Sequence, residues 1–116
     1  MKEQRLNNLI KLMQDNDIFQ AIITSTPSIF YFTGEWIEPG ERLLALYINI
    51  SGEVKLIINE MFKLKNIDKN VTLTYSDSDN PIDILADVLI DEKTLGIDEK
   101  WQSGFLLELL NLSRTW

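Results

Sequence analysis

The 116-residue sequence contains no cysteine and no histidine. Without cysteine, disulfide bonds, thiolate catalysis and most structural zinc sites are excluded. Without histidine, a Ser-His-Asp triad is excluded, and so is the residue that most often performs acid–base catalysis near neutral pH. The five glycines are dispersed and form neither GxGxxG nor GxxxxGK[ST], so both phosphate-loop signatures are absent.

Positive charge is scarce as well. Eleven Lys and Arg stand against eighteen Asp and Glu, which gives a formal net charge of −7. Because an acidic protein repels phosphate backbones, we expect no nucleic-acid partner. The N-terminus lacks the apolar stretch of a signal peptide, and the apolar run at residues 43–48 is too short to span a bilayer. We therefore expect a cytoplasmic protein without a membrane partner.

The chain has the length and composition of one globular domain, with 45% apolar and 25% charged residues. Hydrophobic periodicity and turn residues predict nine elements. Helices are predicted over residues 3–15 and 27–33, from residue 81, and from Ser103, whose side chain is expected to cap the last helix. Strands are predicted over residues 19–24, 43–48, 54–58, 71–75 and 94–98. Thr26 and Asn80 are the expected caps of the two middle helices, and Gly34 is the expected stop of the first of these.

The alternation of strands and helices predicts an α/β fold with three layers, α/β/α. An antiparallel hairpin from the second and third strands makes the sheet mixed. The unit at residues 71–98 is expected to form a right-handed parallel crossover. The C-terminal apolar run at residues 106–112, followed by Ser113-Arg114-Thr115-Trp116, looks like a truncation or the start of a linker.

The acidic residues do not form a recognisable catalytic or metal site. Residues 77–80 look like the opening of a calcium loop, but Ile82 and Val88 occupy the positions that need glycine and glutamate. The first strand carries no acidic residue, which argues against a two-metal nuclease of the ribonuclease H type. Asp98 and Glu99 follow the last strand, where parallel sheets often place active sites. We predict no catalytic and no metal-binding residue in this chain.

The loop between residues 35 and 42 is the best candidate for a contact surface. The preceding aromatic residues Phe30, Tyr31 and Phe32 are predicted to lie in the core. Trp36 and Arg42 are residue types that anchor interfaces, and arginine can hold a carboxylate bidentately. We therefore select Trp36, Glu41 and Arg42 as candidate substrate- or partner-contacting residues.

Several short motifs resemble the opening of creatinase/prolidase-type proteins, particularly bacterial Xaa-Pro dipeptidases. Arg5 precedes an apolar helix stripe, and three further segments carry the resemblance. These are Ile29-x-Tyr31-Phe32-Thr33-Gly34, Gly40-Glu41-Arg42-Leu43 and Gly52-Glu53-Val54-x-Leu56. The resemblance covers essentially residues 1–116, which would form one creatinase/prolidase-type N-terminal domain.

This resemblance implies a ribonuclease H-like motif with five strands in the order 3-2-1-4-5. It also implies that a pita-bread catalytic domain follows, holding two divalent metal ions, and that this domain is absent from the chain. The implied partners are that catalytic domain, a second subunit in a homodimer, and a proline-containing peptide substrate of the full enzyme. The chain alone is predicted to be inactive.

Two alternatives to this assignment remain. The same fold can serve as a free-standing binding or interaction module, or the chain can be a carboxylate-based hydrolase. A downstream set of two Asp, one His and two Glu in the gene favours the enzyme domain, whereas an early stop codon favours the module. A metal-dependent assay of this chain tests the hydrolase.

Overall fold

The computed structural model describes residues 1–65, 67–98 and 101–112. The elements follow the order that the sequence predicts. The helices are α1 (Glu3–Asp15), α2 (Thr26–Thr33), α3 (Pro81–Val88) and α4 (Ser103–Leu110). The strands are β1 (Gln20–Ile23), β2 (Ala45–Asn49), β3 (Val54–Asn59), β4 (Thr72–Tyr75) and β5 (Leu95–Ile97). A 3₁₀ turn at Lys69–Val71 leads into β4. Glu99 and the C-terminal residues 113–116, on which two of the sequence interpretations depend, lie outside the described residues.

The five strands form one mixed sheet in the order β4-β3-β2-β1-β5. The predicted fold class and the β2–β3 hairpin are confirmed, because β2 pairs antiparallel with both β1 and β3. The expected order 3-2-1-4-5 is wrong for the last two strands. β4 adds in parallel to β3 at one edge, and β5 adds in parallel to β1 at the other. The connection through α3 therefore crosses the whole sheet rather than joining neighbouring strands.

The segment between β3 and β4 explains this placement. A parallel neighbour requires the chain to return to the start of the preceding strand. The return segment carries Phe62, Leu64 and Ile67, which pack against the cluster that contains Ile58. Because these side chains cover one face of the sheet, the chain re-enters beside β3.

Two apolar layers enclose the sheet. On one face, α3 and α4 cover Ile22, Tyr47 and Ile57, with Leu85 fully buried between them. On the other face, α1 and α2 cover the alternate residues of the same strands, such as Leu46 and Leu56. Since strand side chains alternate between faces, both sides of β2 are apolar and all five of its residues are buried. None of the helices in the described ranges is long and apolar enough to cross a membrane.

The helix ends follow the predicted pattern with two corrections. Gly34 ends α2 in the left-handed conformation, with φ +80°, and Asn80 caps α3 by accepting from the Ile82 amide. The cap of α2 is Ser25 rather than Thr26, because the Ser25 hydroxyl accepts from the Ser28 amide. Gln102 precedes α4, where Ser103 is already the first helical residue and no side-chain cap bond forms.

The aromatic residues of α2 do not all lie in the core as predicted. Phe30 and Tyr31 are 44% and 49% exposed, whereas Phe32 is half-buried. The helix has only 8 residues and its buried side faces the sheet through Ile29. Residues adjacent to Ile29 in sequence therefore point away from the sheet.

Candidate functional site

The carboxyl ends of four strands meet along one side of the sheet, the side that runs across the strand ends rather than along an outer strand. β1, β3, β4 and β5 run in the same direction, because β2 is antiparallel to its two neighbours and the outer pairs are parallel. The loop that contains Trp36, Glu41 and Arg42 enters β2 at this edge. In open α/β sheets this is the edge where ligands most often bind. We call it the binding edge.

A polar network occupies the middle of the binding edge. Arg42 donates side-on to Asp77, with Nε 3.0 Å from Oδ1 and Nη2 2.9 Å from Oδ2. Asn59, at the end of β3, donates from Nδ2 to the same Oδ1 at 2.7 Å. Asn59 is 2% exposed and its Oδ1 accepts from the Met61 amide at 2.9 Å, so its amide group is held on both sides.

The ion pair changes the protonation behaviour of both partners. The hydrogen bond from Arg42, followed by that from Asn59, lowers the pKa of Asp77 below its ordinary value. The hydrogen bond to Asp77 raises the pKa of Arg42. Asp77 is therefore a carboxylate, and Arg42 a cation, throughout the neutral pH range.

The three residues selected from the sequence occupy different parts of the loop. Trp36 is 56% exposed, donates from Nε1 to Glu38 Oε1 at 2.8 Å, and packs edge-on against Phe30 with ring centroids 5.6 Å apart. Glu41 is exposed beside Arg42. No hydrogen bond or ring contact within the described part of the chain joins Trp36 to Arg42. The loop thus presents an aromatic end and a charged end.

Two concave regions flank the Arg42–Asp77 pair. Arg42 belongs to the wall of a cavity of about 90 Å³ that Thr24, Pro39, Trp101 and Phe105 also line. Asp77 belongs to the wall of a wider depression on the other side, formed by the ends of β3 and β4. The two members of the ion pair therefore line different recesses.

Asp98 ties the ends of β1 and β5 together beside the first cavity. Its Oδ2 accepts from the Thr24 and Ser25 amides at 2.8 and 2.7 Å. Ser25 caps α2, so this carboxylate fixes the start of the helix that leads to the loop. Trp101, two residues before the start of α4, is 9% exposed, and its indole Nε1 is buried without a hydrogen-bond partner among the residues described.

Sequence reasoning found the arginine but missed its partners. The sequence places Asp77 only in the segment that looks like the opening of a calcium loop, before the helix cap Asn80, and Asn59 directly after the predicted strand at residues 54–58. Asp77 lies 35 residues after Arg42 in the sequence, and Asn59 lies 18 residues before Asp77. The only local signal was the position of each directly at or after a strand end.

Among the residues that the structure describes, no three carboxylates come together as metal ligands would. Asp77 accepts hydrogen bonds from within the chain at both carboxylate oxygens, and Asp98 accepts them at Oδ2.

Comparison with known proteins gives a consistent assignment. The family model of the Creatinase/Prolidase N-terminal domain matches residues 5–113. An uncharacterized peptidase of Staphylococcus epidermidis is 35% identical over 83 residues, which are 68% of this chain and 23% of that protein. Its counterpart in Staphylococcus haemolyticus is 34% identical over 83 residues, 69% of this chain and 24% of that protein. The chain thus spans about a quarter of the length of these curated relatives.

Solved structures share the fold. The creatinase/prolidase N-terminal domain of an X-Pro dipeptidase from Streptococcus pyogenes has a TM-score of 0.82 and 21% identity, covering 93% of this chain and 86% of that one. A dipeptidase from Pyrococcus horikoshii has a TM-score of 0.81 and 24% identity, covering 93% of this chain and 32% of that one. These structures agree with this chain in fold, and the family model that matches residues 5–113 places the chain in the creatinase/prolidase N-terminal domain family.

Proposed function

We propose that the chain is the non-catalytic N-terminal domain of an Xaa-Pro dipeptidase-like metallopeptidase of the cytoplasm. In this proposal it contributes to a homodimer and to the wall of the active-site cleft. The active-site chemistry, including two divalent metal ions, belongs to a catalytic domain outside these 116 residues. The residues of this chain contact the partner subunit or the substrate. The substrate of the full enzyme is a proline-containing peptide.

The observation that carries the proposal is the exposed loop at the binding edge. Trp36 is 56% exposed, and the side chain of Arg42 is 40% exposed. Both are residue types that anchor contacts when a partner surface covers them. The loop is nevertheless held in place, because the Thr26 hydroxyl donates to the Ile37 carbonyl at 3.2 Å and Ile37 is buried. An ordered, exposed Trp–Arg loop is suited to contact another domain, another subunit or a substrate.

Names of relatives support the peptidase part of the proposal. The curated relatives are peptidases several times longer than this chain. The Streptococcus pyogenes structure is named as the N-terminal domain of an X-Pro dipeptidase. A non-catalytic role agrees with a sequence that has neither histidine nor cysteine.

The proposal is tested by replacing Trp36 and Arg42 with alanine in the complete gene product. Loss of a central Trp or Arg anchor typically weakens a contact by about tenfold or more. We expect either a rise in KM of that size for an Xaa-Pro dipeptide or a dimer that dissociates at correspondingly lower concentration. Steady-state kinetics and sedimentation measure these two outcomes.

Matched controls come from the C-terminal half of α1, which leads into the start of β1 and so lies towards the end of the sheet opposite the binding edge. Leu12→Ala removes an apolar side chain that is 60% exposed, and Lys11→Ala removes an exposed cation. Both should leave KM and the dimer unchanged. If the Trp36 and Arg42 variants behave like these controls, the contact role is wrong. A gene that ends soon after Trp116 would instead favour a free-standing interaction module.

A further inference from the structure

We propose that Asp77 and Asn59 are positioning residues that hold the Arg42 guanidinium in the orientation in which it makes its contact. This inference rests on the proposed function, in which Arg42 contacts the substrate or a neighbouring chain. It adds two residues, remote in sequence, that no motif of the sequence connects with Arg42.

The geometry of the pair leaves one end of the guanidinium available. Arg42 uses Nε and Nη2 on the two oxygens of Asp77. Within the described residues its Nη1 has no hydrogen-bond partner. Because a side-on pair fixes the plane of the guanidinium, the remaining N–H groups point in a defined direction beside the cavity that Arg42 lines.

Asn59 connects this pair to the rigid part of the sheet. β3 is an inner strand that pairs with β2 and β4, and Asn59 is its last residue. The Asn59 amide is buried and satisfied on both sides, by the Met61 amide and by Asp77. Asp77 is itself 67% exposed at the side chain, so without Asn59 little would restrain its carboxylate.

Stability alone is a weak explanation for this network. The Arg42 and Asp77 side chains are 40% and 67% exposed, and such surface pairs contribute little to folding. An arginine that is already immobilised, in contrast, loses less side-chain entropy when a ligand or partner binds. The arrangement therefore favours pre-organisation of Arg42 for a contact.

The first test measures the order of Arg42 in the 116-residue chain itself. Nitrogen-15 relaxation and hydrogen exchange of the Arg42 Nε–H group report whether the guanidinium is held. We expect a rigid, slowly exchanging group in the wild type and a mobile, fast-exchanging one in Asp77→Asn. Asp83→Asn, which removes the same charge from an exposed site on α3, should match the wild type. Equal rigidity in the wild type and Asp77→Asn would overturn the inference.

The second test uses the complete gene product and separates the inference from the proposed function. Asp77→Asn should raise KM about three- to tenfold, the cost of immobilising one long side chain on binding, and leave kcat within about twofold. The double variant Arg42→Ala/Asp77→Asn should be no worse than Arg42→Ala, because Asp77 acts only through Arg42. A purely structural role would instead lower the fraction of active enzyme and leave KM unchanged.

The outcomes are distinct. If Arg42→Ala raises KM but Asp77→Asn does not, the positioning role is wrong and the proposed function stands. If neither variant changes KM or the dimer, the contact role of Arg42 fails, whatever the relaxation data show for its order. If the two single effects add fully in the double variant, Asp77 acts independently and the inference is overturned.

Discussion

At the scale of single residues, the Arg42–Asp77 pair is a surface ion pair that a buried residue, Asn59, holds in place. Most exposed ion pairs hold two flexible side chains together and contribute little. Here one carboxylate oxygen also accepts from Asn59, which is 2% exposed. The charge-assisted hydrogen bonds explain why the pKa of Asp77 is lowered even though its side chain is exposed.

This lowered pKa predicts a pH dependence that belongs to Asp77. A carboxylate that binds its proton less tightly in the folded state stabilises the fold above its unfolded pKa, and loses that contribution as pH falls through the folded value. The difference in unfolding free energy between the wild type and Asp77→Asn should be small, because the pair is exposed to solvent, constant from about pH 5 to 8, and smaller still below about pH 4. Urea unfolding at a series of pH values measures it. A difference that persists undiminished in acid would contradict this assignment.

The same residues show how far the sequence alone reaches at this scale. Arg42 and Trp36 stand out because Trp and Arg in a loop are recognisable without any structure. Asp77 and Asn59 do not, since their role arises only when the ends of β3 and β4 become neighbours. The hydrophobicity of Phe30 and Tyr31 predicts core positions, but α2 has only 8 residues and buries Ile29 against the sheet, so three consecutive aromatic side chains cannot all face the core.

At the scale of elements, Gly34 sets where α2 ends and the candidate loop begins. Its φ of +80° is left-handed, its amide donates to the Phe30 carbonyl at 2.8 Å, and a Cβ there would approach Lys2 Cε at 3.2 Å. Gly34→Ala should therefore lower the unfolding free energy by about 1–2 kcal/mol, the cost of a left-handed L-residue. Urea denaturation of the chain measures this value.

Gly104 provides the matched control for this substitution. It is the second residue of α4, and a Cβ at this position meets no atom within 4 Å. Gly104→Ala should raise stability by up to about 1 kcal/mol, since alanine favours a helix more than glycine does. If both substitutions shift stability in the same direction, the left-handed conformation at Gly34 is not what limits alanine there.

Element types were predictable from local pattern, whereas their arrangement was not. Apolar spacing, Pro81 after Asn80 and the turn at Ser51-Gly52 identify helices and strands without tertiary information. The position of β4 depends on whether residues 60–71 fold back over the sheet, which the packing of Phe62, Leu64 and Ile67 decides. Such long-range packing has no signature in a four-residue strand, so the expected strand order placed β4 beside the wrong neighbour.

At the scale of the whole molecule, one sheet separates two apolar layers. Ile22 and Tyr47 face α3 and α4, while Leu46 and Leu56 face α1 and α2. Because the inner strands contribute to both layers, neither layer can lose its packing without disturbing the sheet that supports the other. The binding edge depends on the same sheet, since Asn59 ends β3 and Arg42 precedes β2.

The shared sheet predicts that the chain unfolds in one cooperative step from either side. Ile29 on α2 and Leu85 on α3 are both fully buried, on opposite faces. Ile29→Ala and Leu85→Ala should each lower the unfolding free energy by about 3 kcal/mol through lost burial and a residual cavity. The denaturant midpoint should fall in both variants, and the m-value should stay at the wild-type value, because the surface exposed on unfolding is the same.

Urea titrations followed by tryptophan fluorescence and by far-UV circular dichroism test this prediction, since coincident curves indicate a two-state transition. Leu12→Ala, at a side chain that is 60% exposed, should change stability by less than about 0.5 kcal/mol. A second transition, or an m-value that drops in only one core variant, would mean that the two layers unfold independently. The binding edge would then be supported by one face of the sheet alone, and only the substitution on that face would disturb the order of Arg42.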